Sequence, residues 1–447
     1  MRFHRNNKNQ HMYPTKRYPH FDKVIRFSDV ESYVCDPQKI ARHSFFPLVH
    51  YTKVSKRYNP SFVNKLESDC HKQHVKKKER DIMYAAHLDG YIYRYYADQL
   101  NARYNQMALK HHIDSVSIAY RDNKSGMSNI QFAQEAFAFI AAHPRCYIRV
   151  GDFEHFFDNL QHSYLKRQIK KVLQMESLPE DWYKVLRSVT HYTYVERMAV
   201  APFYDKRSKC YFKSARDYRK FRREHQDFFT INRKGVGVPQ GTALSGILAN
   251  IYMLDIDDRI QKLVQDYGGM YRRYSDDTII IIPIDADAAA DIRKIDKEIC
   301  KWIGDACLSE QEEKTKRYLY RDGMLYDALT SDAKRTIDYL GFTFDGREVK
   351  VRQKCIYKFE RKANTAIHHA EAIKRAYNLE QLPFKSSILP YYFSKGHKPG
   401  KRTAQSNFLN YLDRVKGEYL EGDIICKPKQ QVAHLNRKIR RSYNRVK

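Results

Sequence analysis

The sequence predicts an α+β protein, and three observations carry that prediction. Short runs of alternating apolar residues lie between longer stretches with helical apolar spacing. Hydrophobic residues make up 42% of the chain and aromatics 13%, enough for a packed core and against wholesale disorder. A length of 447 residues suggests two or three structural units.

Taken in order, residues 1 to about 70 are polar, basic and aromatic-rich, with little clean periodicity. From Lys76 to Ile140 the pattern turns helical, through Ile92, Tyr95, Tyr96 and Leu100, then Phe132, Ala136, Phe139 and Ile140. A break at Ala141–Pro144 precedes alternation at Cys146, Ile148 and Val150, which reads as a strand. Leu165, Ile169, Val172 and Leu173 mark an amphipathic helix, with Asn159 or Ser163 as N-cap. Residues 191–232 are charged and tyrosine-rich, an insertion or a β-excursion. Residues 246–264 are helical again through Ile247, Leu248, Ile251 and Leu254. Met270–Ile284 reads as a hairpin and Asp338–Phe344 as a short strand. Beyond Lys350, Phe359, Ala363, Ala366, Ile367, Ala370, Ile373 and Tyr377 form one apolar stripe on a basic helix.

The charge balance narrows the function classes. Eighty-one Lys and Arg against 52 Asp and Glu give a net +29, which calls for a polyanionic partner, most often nucleic acid. The bland alternative is a solubilising surface. No apolar run is long enough to cross a bilayer, and Thr278–Pro283 is strand-sized. The basic N-terminus has no apolar core of a secretory signal, so neither a membrane nor a secreted protein is expected. Eight cysteines without a CxxC pair support neither a zinc ribbon nor a disulfide framework; reduced thiols and a cytoplasmic location fit better. Cys70, His71 and His74 come nearest to a metal cluster but lack a second half.

Three segments carry the chemistry. In Arg149–Asp158 an apolar strand ends in Asp152; Gly237–Ser245 is a turn-rich loop running into a helix; Tyr274-Ser275-Asp276-Asp277 places two aspartates at a hairpin tip. Adjacent aspartates repel, and each carboxyl is pushed up unless a cation lies between them. Arg272 and Arg273 are close in sequence, but their side chains can point elsewhere. A divalent ion resolves the conflict: Mg²⁺ takes one or two carboxylates plus substrate phosphates. Asp152 can then bridge to a second ion, the arrangement that stabilises both oxygens of an in-line displacement. A lone Asp-Asp pair is more often a solvated turn; the three segments in this order argue otherwise.

Those segments resemble motifs A, B and C of reverse transcriptases. Leu308–Thr315 is similar to motif D and Asp338–Phe342 to motif E. Lys78–Ile82 resembles the fingers motif that contacts the incoming triphosphate, and Ala119-Tyr120-Arg121 the G-[FY]-R element of group II intron and retron enzymes. The block around Tyr91–Asn105, without an added domain, looks most like bacterial defence-associated (antiphage) reverse transcriptases. The resemblance implies a right-hand polymerase: a basic segment over 1–70, fingers over 71–145, palm over 146–346 with the insertion at 191–232, and a basic helical thumb and tail over 347–447. It makes Asp152, Asp276 and Asp277 the catalytic, metal-binding aspartates for two Mg²⁺ ions, with Mn²⁺ as substitute, and the Phe153 carbonyl a further ligand. Arg80 would take the triphosphate, Gln240 support the nucleotide and template base, and Lys314 protonate the leaving pyrophosphate. Arg80 has a surface-arginine alternative in its KKKER run, and Lys314 an equal alternative as a helix-face ion pair. Phe157, five residues after Asp152, falls where the family places a ring under the ribose C2′, so dNTPs are expected over NTPs.

The implied activity is RNA-directed DNA polymerase on a dedicated structured non-coding RNA, giving a DNA product. A template-independent or protein-primed polymerase of the same fold, an RNA polymerase, and an RNA-binding maturase-like protein stand as alternatives; a second copy or a protein partner stays open. Lys427, Lys429, Arg437, Lys438, Arg440, Arg441 and Arg445 are expected to neutralise phosphates of the bound nucleic acid. Six Lys or Arg against one acid in residues 1–23, and the basic, Tyr- and Phe-rich stretch Lys206–Arg233, suit RNA loops.

Overall fold

The computed structural model describes residues 13–58, 75–212, 214–285, 289–328, 333–393, 407–419 and 424–446. Cys70, His71 and His74 lie outside the described residues. Two short helices, α1 (Glu31–Val34) and α2 (Pro37–Ala41), precede strands β1 (Leu48–Thr52), β2 (Ser55–Tyr58), β3 (Val75–Lys78) and β4 (Asp81–Tyr84). Helices α3 (His87–Lys110) and α4 (Asn129–Ala141) lead to β5 (Arg145–Asp152). Then come α5 (His162–Leu173), α6 (Glu180–Thr190), β6 (Thr193–Glu196), α7 (Arg197–Val200), α8 (Ala215–Glu224) and β7 (Phe229–Ile231). Helices α9 (Ser245–Tyr252) and α10 (Leu254–Asp266) are followed by the hairpin β8 (Met270–Tyr274) and β9 (Asp277–Pro283). Helix α11 (Ala289–Asp305) precedes β10 (Lys316–Arg321), β11 (Met324–Asp327), β12 (Ile337–Tyr339), β13 (Phe342–Phe344) and β14 (Glu348–Val351). The chain ends in α12 (Gln353–Ala376), α13 (Lys385–Tyr392), α14 (Phe408–Glu418), β15 (Ile425–Cys426) and α15 (Pro428–Val446). Among the described residues no helix is long and apolar enough to cross a membrane.

The chain forms two compact units interleaved in sequence, one from 1–123, 153–258 and 300–309, the other from 124–152, 259–299 and 310–447. In the first unit a four-stranded sheet runs in the order β4-β1-β6-β7, with β1 parallel to β6. Residues 13–52, which show no periodicity in sequence, are well folded: Phe21, Phe27, Val34, Ile40, Leu48 and Val49 are all buried. Their elements span only four or five residues, too short for a period to show. Asp36 caps α2 by accepting from the Gln38 and Lys39 amides, with Pro37 at the first helical position. The helical pattern expected from Lys76 is corrected at its start, since β3 and β4 are strands. The run Lys76–Arg80 has no apolar face to bury as a helix; its first three residues pair with β2, and the Arg80 amide and carbonyl both bond to Lys53. Helix α5 begins at His162 behind Gln161, without a side-chain cap. Asn159, one of the two expected caps, instead donates to the Glu154 carbonyl at 2.9 Å.

The second unit is built on an antiparallel sheet in the order β11-β10-β5-β9-β8. Helix α4, closed by a capping box between Ser128 and Gln131, packs Ile130, Ala133, Phe137 and Ile140 into one cluster with Cys146, Ile148, Ile279 and Ile281. A second sheet, β12-β13-β14-β15, extends the same cluster through Ile337, Tyr339, Phe342, Phe344, Val349 and Val351. The single strand expected over 338–344 is thus a hairpin; it turns through Leu340 and Gly341, whose φ values are +46° and +94°. Helix α12 buries Ile356, Phe359, Ala363, Ile367 and Ala370 as its stripe requires. Tyr377, expected to end that stripe, lies beyond the last helical turn and is 73% exposed.

Candidate active site

Asp152 is the last residue of β5 and Asp277 the first of β9, and the antiparallel ladder sets them directly opposite each other. Opposed residues in such a pair have Cβ atoms roughly 4.5–5.5 Å apart. The turn between β8 and β9 is Ser275-Asp276, with Ser275 left-handed at φ +62°, so Asp276 occupies the tip. Gly151 keeps the approach narrow, because a Cβ there would run into the Glu310 carboxylate and lie 2.8 Å from the Thr278 hydroxyl. The neighbouring arginines have partners of their own. Arg272 pairs with Glu135 at 3.5 Å, and buried Arg273 donates to the Ser275 carbonyl at 3.1 Å. The electrostatic consequence appears at Asp277, whose carboxyl is pushed up to about 7, by burial first and then by Asp276 and Asp152, against the pull of Arg352 and Lys314. Lys314 lies in a turn ahead of β10, not on a helix, and its Nζ donates to Asp152 Oδ2 at 2.7 Å. Its partner is the catalytic-site candidate and not a helix-face neighbour.

A buried ionic network underlies these strand ends, and sequence reading missed it. The fully buried Arg149 donates from Nε to Asp296 Oδ1 at 2.7 Å and from Nη1 to Glu310 Oε1 at 2.8 Å. Tyr147 also donates to Asp296, at 3.2 Å, and Arg317 reaches it at 2.7 Å. The Asp152 carbonyl accepts from the Gln311 amide at 3.0 Å, so β5 and the segment carrying Glu310 and Lys314 are tied by backbone and by charge. The available signal was a charged residue at an interior position of an apolar strand; its partners are more than 140 residues away in sequence.

The remaining nucleotide-site candidates fall in the first unit. Arg80 is exposed just before β4, its backbone amide bonded to the Lys53 carbonyl at 3.2 Å. Two residues into that strand, the Met83 amide donates to the Gln240 carbonyl at 2.8 Å. The adjacent Gly241 has φ +118°, and a Cβ on it would meet the Met83 carbonyl, so only glycine allows this approach. The same loop is held from the other side, where the Val238 amide donates to the Phe157 carbonyl at 2.9 Å. Arg80, Phe157 and Gln240, far apart in sequence, are therefore gathered by backbone contacts. The Phe157 ring is half-buried, edge-on to the buried Phe156 at 5.5 Å, which in turn stacks on the buried Phe153.

The C-terminal basic residues divide. Lys429 is paired with Asp413 at 2.5 Å and Lys438 with Glu360 at 2.9 Å, both lysines remaining exposed. Lys427, Arg437, Arg440, Arg441 and Arg445 are exposed and in no ion pair among the described residues.

The chemistry of the donors fits a divalent metal. Asp152, Asp276 and Asp277 present hard anionic oxygens, and Lys314 supplies a cation where the ion's charge would act. Among the described residues no three His, Cys, Asp or Glu side chains are placed to hold a metal ion together. That is consistent with Mg²⁺ sites, which draw on one or two carboxylates and complete their shell with water and substrate phosphates.

No curated protein matches the chain. Among solved structures it is similar to apo telomerase from Candida tropicalis truncated from its C-terminal domain, at 13% identity and TM-score 0.42 over 72% of this chain and 59% of that one. It is also similar to telomerase from Candida albicans in complex with a TWJ fragment of telomeric RNA, at 11% identity and TM-score 0.44 over 94% of this chain and 58% of that one. This chain thus spans less than three fifths of the length of either. Residues 75–344 match the family model described as reverse transcriptase (RNA-dependent DNA polymerase). That span holds β3 to β13, from the strand before Arg80 through the carboxylate pair, and exceeds half of the chain; the protein belongs to the reverse transcriptase family and its α+β right-hand polymerase fold.

Proposed function

We propose that the protein is an RNA-directed DNA polymerase that adds dNTPs at Asp152, Asp276 and Asp277, using two Mg²⁺ ions or Mn²⁺ in their place. The observation that carries this reading is the opposition of Asp152 and Asp277 at the ends of two central strands, with Asp276 on the adjoining turn. When bound, the ions would supply Lewis-acid stabilisation of the attacking and leaving oxygens. The three carboxylates, with the Phe153 carbonyl next in the chain, would hold them. Arg149 and Glu310 keep β5 in register beneath the site. Lys314, whose Nζ donates to Asp152 Oδ2 at 2.7 Å, would have a proton to give the departing pyrophosphate. Arg80 takes the triphosphate, Phe157 screens the sugar, and the Gln240 loop, fixed through its carbonyl to Met83, supports the base.

The finer reading is a cytoplasmic enzyme that copies a dedicated structured non-coding RNA in bacterial antiphage defence. Support for the RNA is the net charge of +29, more than one duplex cleft needs. Support for defence is the resemblance around Tyr91–Asn105, a block that folds into α3. Divalent-metal-dependent incorporation of labelled dNTPs on an RNA template tests the polymerase reading. We expect Asp276→Asn to lose about 100-fold or more in rate, since a metal ligand contributes several kcal/mol in the transition state. Wild-type-like extension by Asp276→Asn would sink the assignment.

A further inference from the structure

A basic cavity of the first unit lies in the insertion, among residues that the polymerase reading does not use. It has a volume of about 700 Å³ and is lined by Arg216, Arg219, Arg222 and Arg223 of α8 together with Phe229 and Ile231 of β7. Helix α8 turns Tyr218 and Phe221 into an aromatic cluster with Phe21, Tyr211 and Phe212, which leaves its arginines outside that core. Strand β7 is the edge of its sheet, and Ile231, opposite Thr193 on β6, remains 42% exposed.

The charge arrangement is costly to the helix alone. Arginines three and four residues apart repel, and Arg216 stands in the first turn, where the helix dipole disfavours a cation. A solubilising face would intersperse acids among them. Here the two acids of the helix itself are engaged: Asp217 accepts from the Ser214 hydroxyl at 2.8 Å, and Glu224 pairs with Lys220 at 3.9 Å. None of the four guanidinium groups is in an ion pair among the described residues. Arg222 instead lies 5.8 Å from the Phe229 ring centre, and the buried Tyr218 hydroxyl beside it has no well-formed hydrogen bond.

We infer that this cavity binds single-stranded RNA through residues other than the catalytic carboxylates; the inference rests on the reading of the enzyme as one that works with RNA. Guanidinium forks alternate with flat or apolar surfaces, Phe229 and Ile231, which suits a ligand alternating phosphates with unstacked bases. An acidic peptide offers the charge without the planes, and a duplex keeps its bases stacked inside. Thr193 and Gln226, also lining the cavity, supply a hydroxyl and an amide able to meet a ribose 2′-hydroxyl.

The test uses the full chain and a fluorescent twelve-nucleotide single-stranded RNA of mixed sequence, titrated by anisotropy at several salt concentrations. Arg219→Gln with Arg223→Gln should weaken binding about tenfold at low salt and flatten the slope of log K against log salt by about 0.7 per lost phosphate contact. The same RNA carrying 4-thiouridine should crosslink the wild-type protein within residues 216–231, a readout that does not depend on the variant folding. An unchanged affinity and slope in a folded variant, or crosslinks confined to other segments, would overturn the site. Equal or tighter binding of the matching DNA strand, or of a labelled poly-glutamate peptide, would overturn its assignment to RNA. Incorporation of dNTPs by the same wild-type preparation reports the polymerase reading on its own, so the two ideas fail separately.

Discussion

Without metal, Asp277 holds its proton up to about pH 7, whereas an unfolded aspartate releases it near 3.8. Between those values the native state binds more protons than the unfolded chain, so this group's contribution to stability falls as pH rises across the window. Its side chain is open to solvent along part of its surface, which screens the effect. We therefore expect the melting temperature in a chelator to drop between pH 5 and pH 8 by more than in Asp277→Asn, and Mg²⁺ to restore much of the difference at pH 8. Equal pH profiles for the two proteins would show that the carboxylates do not repel as described. Phe157 supports a separate expectation. Its ring is only half-buried and its neighbour Phe156 carries the packing, so Phe157→Ala should fold. Loss of a steric filter worth roughly 1–3 kcal/mol would lower dNTP-over-NTP discrimination by about tenfold or more in kcat/KM. A wild-type ratio would make the ring a packing residue.

At the scale of elements, α15 has two roles on two faces. Val432, Leu435, Ile439 and Tyr443 enter the same cluster as α12, while Arg437, Arg440 and Arg441 face solvent. The preceding β15 also pairs in parallel with β14. The basic tail is therefore part of the core and not a detachable arm. Removing it should cost most of the second unit's stability, since four buried side chains contribute roughly 1.5–3 kcal/mol each. Arg437→Gln with Arg440→Gln and Arg441→Gln should leave the melting temperature within a few degrees. It should also flatten the salt dependence of duplex binding by roughly one unit per lost contact. An unchanged salt slope would assign this face to solubility or to a protein partner.

For the whole molecule, the governing quantity is a net charge of +29 spread over more than one surface. Besides α15, positive charge gathers in α8, where Arg216, Arg219, Arg222 and Arg223 line one cavity. Non-specific phosphate contacts are shed as salt rises, whereas base stacking and shape recognition persist. Purification at about 0.5 M salt should accordingly retain one discrete RNA species, read by sequencing the co-purified nucleic acid. A heterogeneous smear, or no RNA, would remove the dedicated template.

The sequence by itself determined the α+β class, the order of the carboxylate and glycine motifs, and the placement of Asp152 at a strand end and of the Asp276–Asp277 pair at a hairpin tip. Those features are local, because alternation, turn residues and helical spacing are written in neighbours within a few positions. It also left Arg272 able to point elsewhere, and its side chain pairs with Glu135. Only the tertiary structure decided where Lys314 points, that Arg149 is balanced by Glu310 and Asp296, and that Phe157 and Gln240 share one backbone-bonded loop system. It alone turned the aperiodic residues 13–52 and the basic tail into core. Each of these depends on which strands pair and which helix covers them, at separations of tens to hundreds of residues. A side chain's own neighbours in sequence do not encode that choice; the buried surface the whole fold shares does.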